Sequence, residues 1–163
     1  MIKTVIITVS DKGSRGQRED LSSESIRLTL DKIEAQVIGY EIVPDEIDLI
    51  QKAIVDAVDN VKADLVLTTG GTGLSARDVT PEATRSIVEK LVPGLSEIIR
   101  MESFKKTPMA VLSRAIAGIR KKSLIINLPG SPKGARESLS IILEALPHGI
   151  AILKGEASEC GKE

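Results

Sequence analysis

The sequence has few aromatic residues and few of the side chains that hold transition metals. Tyr40 and Phe104 are the only members of the Phe, Trp and Tyr group, which excludes a stacking platform for several exposed bases. The single cysteine, Cys160, excludes an internal disulfide and a thiolate-rich zinc site, and it agrees with a reducing compartment. The only histidine, His148, excludes a multi-histidine metal site.

An excess of positive charge and a long hydrophobic run are also lacking. The chain has 22 Lys and Arg residues against 23 Asp and Glu residues, so it lacks the electrostatic footprint of a nucleic-acid-binding protein. The apolar segment 5–9 is too short for a membrane span of about 20 residues, and no cleavable signal precedes it. We therefore expect a cytoplasmic protein that binds neither nucleic acid nor membrane, with at most a localised anion site.

Hydrophobic patterning predicts the fold class. A length of 163 residues predicts a single domain over residues 1–163. Apolar runs at 4–10, 37–43, 65–69 and 124–127 predict strands, and helical patterns separate them. Because these runs lack the alternation of a half-exposed sheet, they indicate strands covered on both faces. The predicted fold is α/β, a three-layer α/β/α sandwich with a mostly parallel central sheet.

Capping residues predict where the helices begin and end. The apolar spacing predicts a helix that starts near Ser22 and closes at Ala35. Asp45 is a predicted cap of the next helix. Thr80 is a predicted cap of a third, with Pro81 at its first position.

Other segments carry weaker signals. Residues 11–20 contain two glycines and no apolar residue, which predicts a mobile loop. Pro93 and Gly94 predict a break in the chain before a helix resumes at 95–105. Residues 109–120 have no clear pattern.

A glycine cluster follows the predicted third strand. Gly70, Gly71 and Gly73 allow the backbone to approach a ligand and to point N–H groups at an anion, because no Cβ intervenes. The string at 71–76 also fits the dinucleotide pattern Gly-x-Gly-x-x-Ala, but the helix signals begin only at Thr80, too late for that fingerprint. No Lys-Ser or Lys-Thr pair follows the glycines, which excludes a Walker A loop. The cluster indicates an anion-binding loop, with a tight turn as the alternative.

Two carboxylates stand beside these predicted strand ends. For Asp45, helix capping is the simpler interpretation. For Asp78, Thr80 fills the cap position and leaves the carboxylate free. Carboxylates beside a phosphate-binding loop would repel an anionic substrate unless a divalent cation lies between them. Mg²⁺ is the natural candidate, because one or two carboxylates bind it together with phosphate oxygens.

A second candidate anion site follows the last predicted strand. Ser131, Pro132 and Lys133 combine the free N–H groups of a helix start with one positive charge, and an ordinary turn is the alternative. Ser113 and Arg114 lie in the segment without a clear pattern, where a surface position is the alternative. Ligands of parallel α/β folds bind beyond the carboxyl ends of the strands, so we expect the strand-end motifs to converge at one rim.

Five motifs occur in a specific order along the chain. They are Val-Pro-Asp-Glu at 43–46, Thr-Thr-Gly-Gly-Thr-Gly at 68–73, Arg-Asp-Val-Thr-Pro-Glu-Ala-Thr at 77–84, Leu-Ser-Arg at 112–114 and Ile-Asn-Leu-Pro-Gly-Ser-Pro-Lys-Gly at 126–134. In this order the chain resembles the molybdopterin adenylyltransferase family, which includes the amino-terminal domain of gephyrin. The resemblance covers essentially the whole length.

The resemblance implies a cytosolic homotrimer in which molybdopterin and ATP react with Mg²⁺ to give adenylylated molybdopterin and pyrophosphate. A molybdate-insertion protein is an implied further partner. The implied catalytic and metal-binding residues are Asp45 and Asp78. The implied nucleotide-binding residues are Thr69, Gly70, Gly71, Thr72, Gly73, Ser75, Pro129, Gly130 and Ser131. The implied molybdopterin-binding residues are Ser10, Asp11, Ser113 and Arg114.

Two other functions are compatible with the same residues. A sister branch of this fold binds related ligands without a settled activity, so a non-catalytic molybdopterin or nucleotide carrier is one alternative. The other is a scaffold whose trimer surface matters more than its pocket. Consumption of ATP separates an enzyme from a carrier, and partner capture that survives pocket mutation would indicate a scaffold.

Overall fold

Six strands form one sheet in the computed structural model, which describes residues 1–156. Cys160 lies outside the described residues. In chain order the strands are β1 (Ile2–Val9), β2 (Ala35–Val43), β3 (Leu65–Thr69), β4 (Lys90–Leu91), β5 (Ala117–Arg120) and β6 (Ser123–Leu128). Their order across the sheet is β2-β1-β3-β6-β5-β4. Strands β2, β1, β3 and β6 are parallel to one another. Strand β5 pairs antiparallel with both β6 and β4. The prediction of a mostly parallel sheet is therefore confirmed.

Burial explains why the central strands lack alternation. Every residue of β3 and β6 is buried, and β1 has only Lys3 exposed. Strands covered by helices on both faces consist of continuous apolar and β-branched residues. At the edge of the sheet, β2 alternates between partly buried and exposed residues over most of its length, because one of its faces is less covered.

Seven helices and one 3₁₀ helix surround the sheet. They are α1 (Asp11–Ser14), α2 (Leu21–Leu30), α3 (Ile47–Asp59), α4 (Thr80–Ile87), α5 (Pro93–Phe104), α6 (Pro132–Ile142), α7 (Ala145–Lys154) and the 3₁₀ helix Pro108–Leu112. None of these is long and apolar enough to cross a membrane. Buried side chains of α3 and α4 pack with Val66 on one face of the sheet, while α2, α5, α6 and α7 pack with Leu67 on the other. Because successive side chains of a strand point to opposite faces, this arrangement confirms the three-layer sandwich.

Two predicted helix boundaries were wrong. Ala35 begins β2, and α2 already ends at Leu30. Ile33 packs against the core from the turn between them and so imitates the next step of the helical stripe. Pro93, predicted as a break, is the first residue of α5, where a missing N–H donor costs nothing.

The two segments without apolar repeats also contain regular structure. Residues 11–20 begin with α1, whose cap is Ser10: its Oγ accepts a hydrogen bond from Gly13 N at 3.0 Å. Residues 109–120 contain most of the 3₁₀ helix and all of β5. A four-residue strand is too short to show a hydrophobic repeat. Strand β5 forms because it pairs with β6, which lies outside residues 109–120.

Candidate functional site

The carboxyl ends of β1, β3 and β6 open onto one cavity of about 650 Å³. The residues that follow these strands form its wall, together with residues that follow β2 and precede α2. Of the predicted site residues, the ones that line the cavity are Ser10, Asp45, Thr69, Gly70, Gly71, Asp78, Gly130 and Ser131. The prediction that distant strand-end motifs converge at one rim is therefore confirmed for these eight.

The glycine loop is held in a conformation that only glycine adopts easily. Gly70 has φ +105° and Gly71 has φ +67°. A Cβ on Gly70 would collide with the carbonyl oxygen of Val9, and a Cβ on Gly71 would collide with Oγ1 of Thr80. The close approach of this loop to β1 and to α4 therefore requires glycine at both positions.

Thr80 holds the glycine loop against α4 instead of capping that helix. Val79 occupies the cap position, and Thr80 is the first helical residue. Thr80 Oγ1 donates a hydrogen bond to the Gly70 carbonyl at 2.9 Å, and Thr80 N donates to the Gly71 carbonyl at 3.1 Å. The capping prediction was wrong because a buried threonine beside an irregular loop satisfies that loop's carbonyls.

Asp11 and Asp45 join the loops after β1 and β2. Asp11 N donates to Asp45 Oδ2 at 2.9 Å, and Asp45 N donates to Asp11 Oδ1 at 3.0 Å. Arg77 binds the same Asp11 carboxylate through two nitrogens, at 3.0 and 2.9 Å. These hydrogen bonds, that of Arg77 above all, hold the pKa of Asp11 below its ordinary value. The predicted cap at Asp45 was wrong: Glu46 occupies the cap position of α3, and the Asp45 carboxylate is used 34 residues away.

The surroundings of the Asp45 carboxylate disfavour its ionised form. Burial raises its pKa, and the neighbouring negative charges of Asp11 and Asp78 raise it further, against the hydrogen bond from Asp11 N. One of its oxygens, Oδ1, lies against Gly71, at 3.1 Å from where a Cβ would stand. A partly buried carboxylate beside other carboxylates is the kind of group that a cation stabilises.

Asp78 lies on the other side of the glycine loop. Its Oδ2 accepts a hydrogen bond from Ser75 N at 2.9 Å and lies 2.9 Å from the position of a Cβ on Gly73. The prediction of a free carboxylate was therefore wrong for one of the two oxygens. The bond is local, within three residues, and it closes the turn that carries the loop toward α4.

Arg114 braces the same loop from outside the cavity lining. Its Nε donates to the Gly73 carbonyl at 2.8 Å, its Nη2 donates to the Asp78 carbonyl at 2.7 Å, and its Nη1 pairs with Glu82. Arg114 N also donates to the Thr72 carbonyl at 2.9 Å. The guanidinium thus holds the end of the glycine loop, at Gly73, and the turn that follows it, at Asp78.

The remaining predicted residues hold neighbouring backbone. Thr69 Oγ1 donates to the Pro129 carbonyl at 2.6 Å, which joins β3 to the loop after β6. Ser131 Oγ accepts a hydrogen bond from Gly134 N at 3.1 Å and caps α6, which confirms the helix start predicted at this turn. The predicted site residues that do not line the cavity are Asp11, Thr72, Gly73, Ser75, Ser113, Arg114 and Pro129.

The segment before α2 supplies a wall that the sequence patterns did not single out. Asp20 accepts hydrogen bonds from Thr8 Oγ1 and from Tyr40 Oη, and it caps α2. Burial alone would raise the pKa of Asp20, but these hydrogen bonds together lower it. Ser22 Oγ donates to the Gly130 carbonyl at 2.6 Å. A capping aspartate before an amphipathic helix was the available signal, and the predicted loop at 11–20 obscured it.

The charge of the cavity lining is predominantly negative. Among the described residues that line it, Arg18 is the only one with a cationic side chain, against Glu19, Asp20, Asp45 and Asp78. Within residues 1–156, no cluster of three or more His, Cys, Asp and Glu side chains forms a ready-made metal cage. The carboxylates of Asp45 and Asp78 carry oxygen atoms of the kind that hard cations prefer as ligands.

A family model described as "Probable molybdopterin binding domain" matches residues 5–148. The chain belongs to this molybdopterin-binding family. It is 47% identical over 152 residues to the molybdopterin adenylyltransferase of Helicobacter pylori strain J99, covering 92% of this chain and 86% of that protein. It is 34% identical over 172 residues to the molybdopterin adenylyltransferase of Escherichia coli K12, covering 97% and 88%. Among solved structures, the molybdopterin biosynthesis enzyme MoaB of Thermus thermophilus is similar with a TM-score of 0.92 and 50% identity, covering 98% of this chain and all of that one.

Two supports of the cavity in this molybdopterin-binding domain are tertiary contacts. The Asp11–Asp45 exchange joins the loops after β1 and β2, and the Ser22–Gly130 hydrogen bond joins the start of α2 to the loop after β6. Neither contact has a local sequence signal, because the residues it joins are 34 and 108 positions apart.

Proposed function

We propose that the chain is a molybdopterin adenylyltransferase that transfers AMP from ATP to the terminal phosphate of molybdopterin. An oxygen of that phosphate forms a bond to the α-phosphorus of ATP. The bond from the α-phosphorus to the bridging oxygen of the β-phosphate breaks, and pyrophosphate leaves with the electron pair. The attacking oxygen is already anionic, so the step needs no strong base, and positioning and charge neutralisation carry catalysis.

One observation carries the proposal: the glycine loop, the two carboxylates Asp45 and Asp78 and the Gly130–Ser131 turn share a single cavity. A nucleotide triphosphate needs backbone N–H donors, and glycines at positive φ can direct them at phosphate oxygens. The curated relatives named above carry this activity in their names, at 34% and 47% identity over most of both chains.

The nucleotide side of the proposed site is the glycine loop together with the turn after β6. Gly70 and Gly71 face the cavity directly, whereas Thr72, Gly73 and Ser75 continue the loop beside it. Thr69 fixes Pro129, and Ser22 fixes Gly130, so two hydrogen bonds hold the opposite wall in place. Such pre-organisation reduces the ordering that ligand binding would otherwise require.

We propose that Asp45 and Asp78 hold Mg²⁺ together with phosphate oxygens of ATP. Carboxylates are hard oxygen ligands of the type Mg²⁺ prefers, and both carboxylates lie against the glycine loop. When bound, the ion would neutralise charge developing on the phosphates. Four carboxylates and one arginine line a cavity meant for two polyanions, and this imbalance supports the need for a divalent cation.

The molybdopterin side of the proposed site is formed by Ser10, Asp11, Ser113 and Arg114. Ser10 lines the cavity. Asp11 and Arg114 are engaged with Arg77 and with the glycine loop, so we assign them a positioning role toward the pterin. Arg18 also lines the cavity, and we propose that it binds a phosphate of one of the two substrates.

We further propose a cytoplasmic homotrimer that delivers its product to a molybdate-insertion protein. Exposed apolar side chains on α5 and the 3₁₀ helix support self-association: Met101 is 64% exposed, Phe104 50% and Met109 63%. Apolar side chains grouped this way commonly mark a protein–protein contact. Sedimentation velocity should give the mass of three chains, and a monomer at micromolar concentration would refute the trimer.

The decisive experiment incubates the protein with molybdopterin, ATP and Mg²⁺ and measures pyrophosphate. We expect release that stops when EDTA removes the metal. Asp45→Asn should lose most of this activity, whereas Asp48→Asn, a change to an exposed carboxylate of α3 outside the cavity, should keep it. No release above a protein-free blank would refute the enzyme.

The alternative is a carrier that binds molybdopterin or nucleotide in the same cavity without chemistry. Calorimetry with each ligand separates the two functions. A carrier binds both ligands and leaves ATP intact when they are mixed. An enzyme binds both and consumes ATP.

A further inference from the structure

A second cavity, of about 430 Å³, lies at the opposite edge of the sheet, where the parallel strands begin. Its wall includes the starts of β1 and β6 and the turn before β3. Five lysines and two carboxylates line it, and we call it the lysine cavity. The lysines are Lys3, Lys62, Lys121, Lys122 and Lys154.

Part of this positive charge is already neutralised. Lys121 Nζ lies 3.0 Å from Asp59 Oδ1, and Lys154 Nζ lies 3.1 Å from Glu156 Oε1. Asp64 Oδ2 accepts a hydrogen bond from Lys3 N at 2.8 Å and lies 3.9 Å from Lys154 Nζ.

The other three lysines keep their charge available. Within residues 1–156, the ammonium groups of Lys3, Lys62 and Lys122 form no ion pair or hydrogen bond. All three are exposed. Among residues 1–156, three lysines without a compensating partner therefore surround one hollow.

Two of the cavity's lysines occupy a backbone conformation that disfavours them. Lys62 has φ +59° and Lys121 has φ +53°, and within residues 1–156 they are the only non-glycine residues at positive φ. Glycine enters this region without a steric penalty, so lysine at both positions goes against local backbone preference. Non-glycine residues in this conformation cluster at ligand sites and active sites.

We propose that the lysine cavity binds a compact anion with two or more phosphate groups. Ammonium groups act as point charges toward phosphate oxygens, and three of them around one cavity match a polyanion better than a single phosphate. The volume lies in the range of about 300–1,000 Å³ typical of small-ligand sites. The five residues of β3, about 17 Å at roughly 3.3 Å per residue, separate it from the proposed active site.

The test titrates the ¹⁵N-labelled full chain with inorganic pyrophosphate at constant ionic strength and without divalent cations. We expect saturable NMR shifts of the amides of residues 62, 121 and 122. The double variant K62A/K122A should weaken this binding at least tenfold. The control K32A/K90A removes two exposed lysines outside the cavity and should bind as the wild type does.

Three outcomes would overturn the proposal. Shifts that never saturate, and that orthophosphate reproduces at equal ionic strength, would indicate counter-ion screening alone. Tighter binding of a polyglutamate peptide than of pyrophosphate would assign the cavity to an acidic protein. Equal affinity in both double variants would move the site elsewhere. Because Asp78 does not line the lysine cavity, Asp78→Asn should show the same NMR shifts with pyrophosphate. Loss of adenylyl transfer in this variant can therefore be distinguished from loss of binding at the lysine cavity.

Discussion

The two edges of the parallel sheet differ in charge and in how they make tight turns. At the carboxyl edge, four carboxylates and Arg18 line the cavity, and Gly70 and Gly71 supply the positive φ angles. At the amino edge, five lysines line the cavity, and the residues with positive φ angles are Lys62 and Lys121. A net charge of −1 therefore conceals two regions of opposite sign.

This difference separates the two proposed ways of binding phosphate. Glycines bring backbone N–H groups close to a ligand, and the nearby carboxylates then need a metal ion as an intermediary. Lysines bring mobile charges that need no metal and fix no geometry. The first arrangement suits a reaction, since reacting atoms must be held in line, and the second suits binding alone.

The largest expected effect comes from removing a charge at the carboxyl edge. Asp78→Asn keeps an oxygen that accepts the hydrogen bond from Ser75 N but loses the negative charge that would bind the proposed Mg²⁺. We expect turnover to fall about 100-fold or more, the usual scale for losing one electrostatic stabiliser, with molybdopterin binding little changed. The measurement is pyrophosphate release beside calorimetric binding.

The lysine cavity supplies the control for that loss. K62A/K122A should turn over at the wild-type rate, because the lysines line a separate cavity. If both variants lost activity equally, the proposed division between the two edges would fail.

A second prediction concerns the glycine at the carboxyl edge. Gly70→Ala places a Cβ against the Val9 carbonyl at φ +105°, so we expect a loss of about 1–3 kcal/mol in the free energy of unfolding. Gly149→Ala, in α7 where a Cβ meets nothing within 4 Å, should instead gain about 0.5–1 kcal/mol. Urea denaturation of both variants measures the contrast. Equal stabilities would show that the loop relaxes at no cost.

At the amino edge, a substitution at a residue with positive φ is expected to raise the free energy of unfolding instead of lowering it. Lys62→Gly removes a left-handed lysine, and we expect a net gain of about 0.5–1 kcal/mol once the greater chain entropy of glycine is subtracted. Lys122→Gly, at a position without a positive φ, should lose stability by up to about 1 kcal/mol. A Lys62→Gly variant less stable than the wild type would contradict the argument that this backbone is strained.

The smallest effect is a pH dependence beside the lysine cavity. Hydrogen bonds from Arg120 and Lys121 lower the pKa of Asp59 to about 2 from an ordinary 3.8. The ionised carboxylate therefore adds stability above about pH 4, and that stability is lost as the pH falls toward 2. Thermal melts should show Asp59→Asn less stable than the wild type at pH 6, with the gap closing at pH 2. A gap that persists at pH 2 would exclude Asp59 ionisation as its cause.

Local sequence signals predicted much of the fold. β1, β3 and β6 were predicted because buried parallel strands need continuous apolar residues, and that need is met within each segment. The antiparallel β4 and β5 were missed, since strands of two and four residues carry no period and depend on their neighbours. Ala35 was misplaced because packing of Ile33 from a turn has the spacing of a helix.

The site was predicted in part. The glycine loop, Asp45, Asp78 and Ser131 were expected at one rim, because parallel strands bring their carboxyl ends together. The roles of Thr80 and Asp45 as caps were wrong, since each side chain bonds to a loop distant in sequence. Asp20 and Ser22 were missed because their partners lie in other segments. The catalytic, nucleotide-binding and pterin-binding assignments stay predictions.

The sequence by itself determined the buried parallel strands, most of the longer helices, the layered α/β architecture and the family, because apolar runs, capping residues and ordered motifs are local properties. Only the tertiary structure decided which carboxylate oxygens are engaged, which carboxylates share a cavity and which lysines stand around a common hollow. Those outcomes depend on side chains tens of residues apart approaching within hydrogen-bonding distance, and burial there sets their charge.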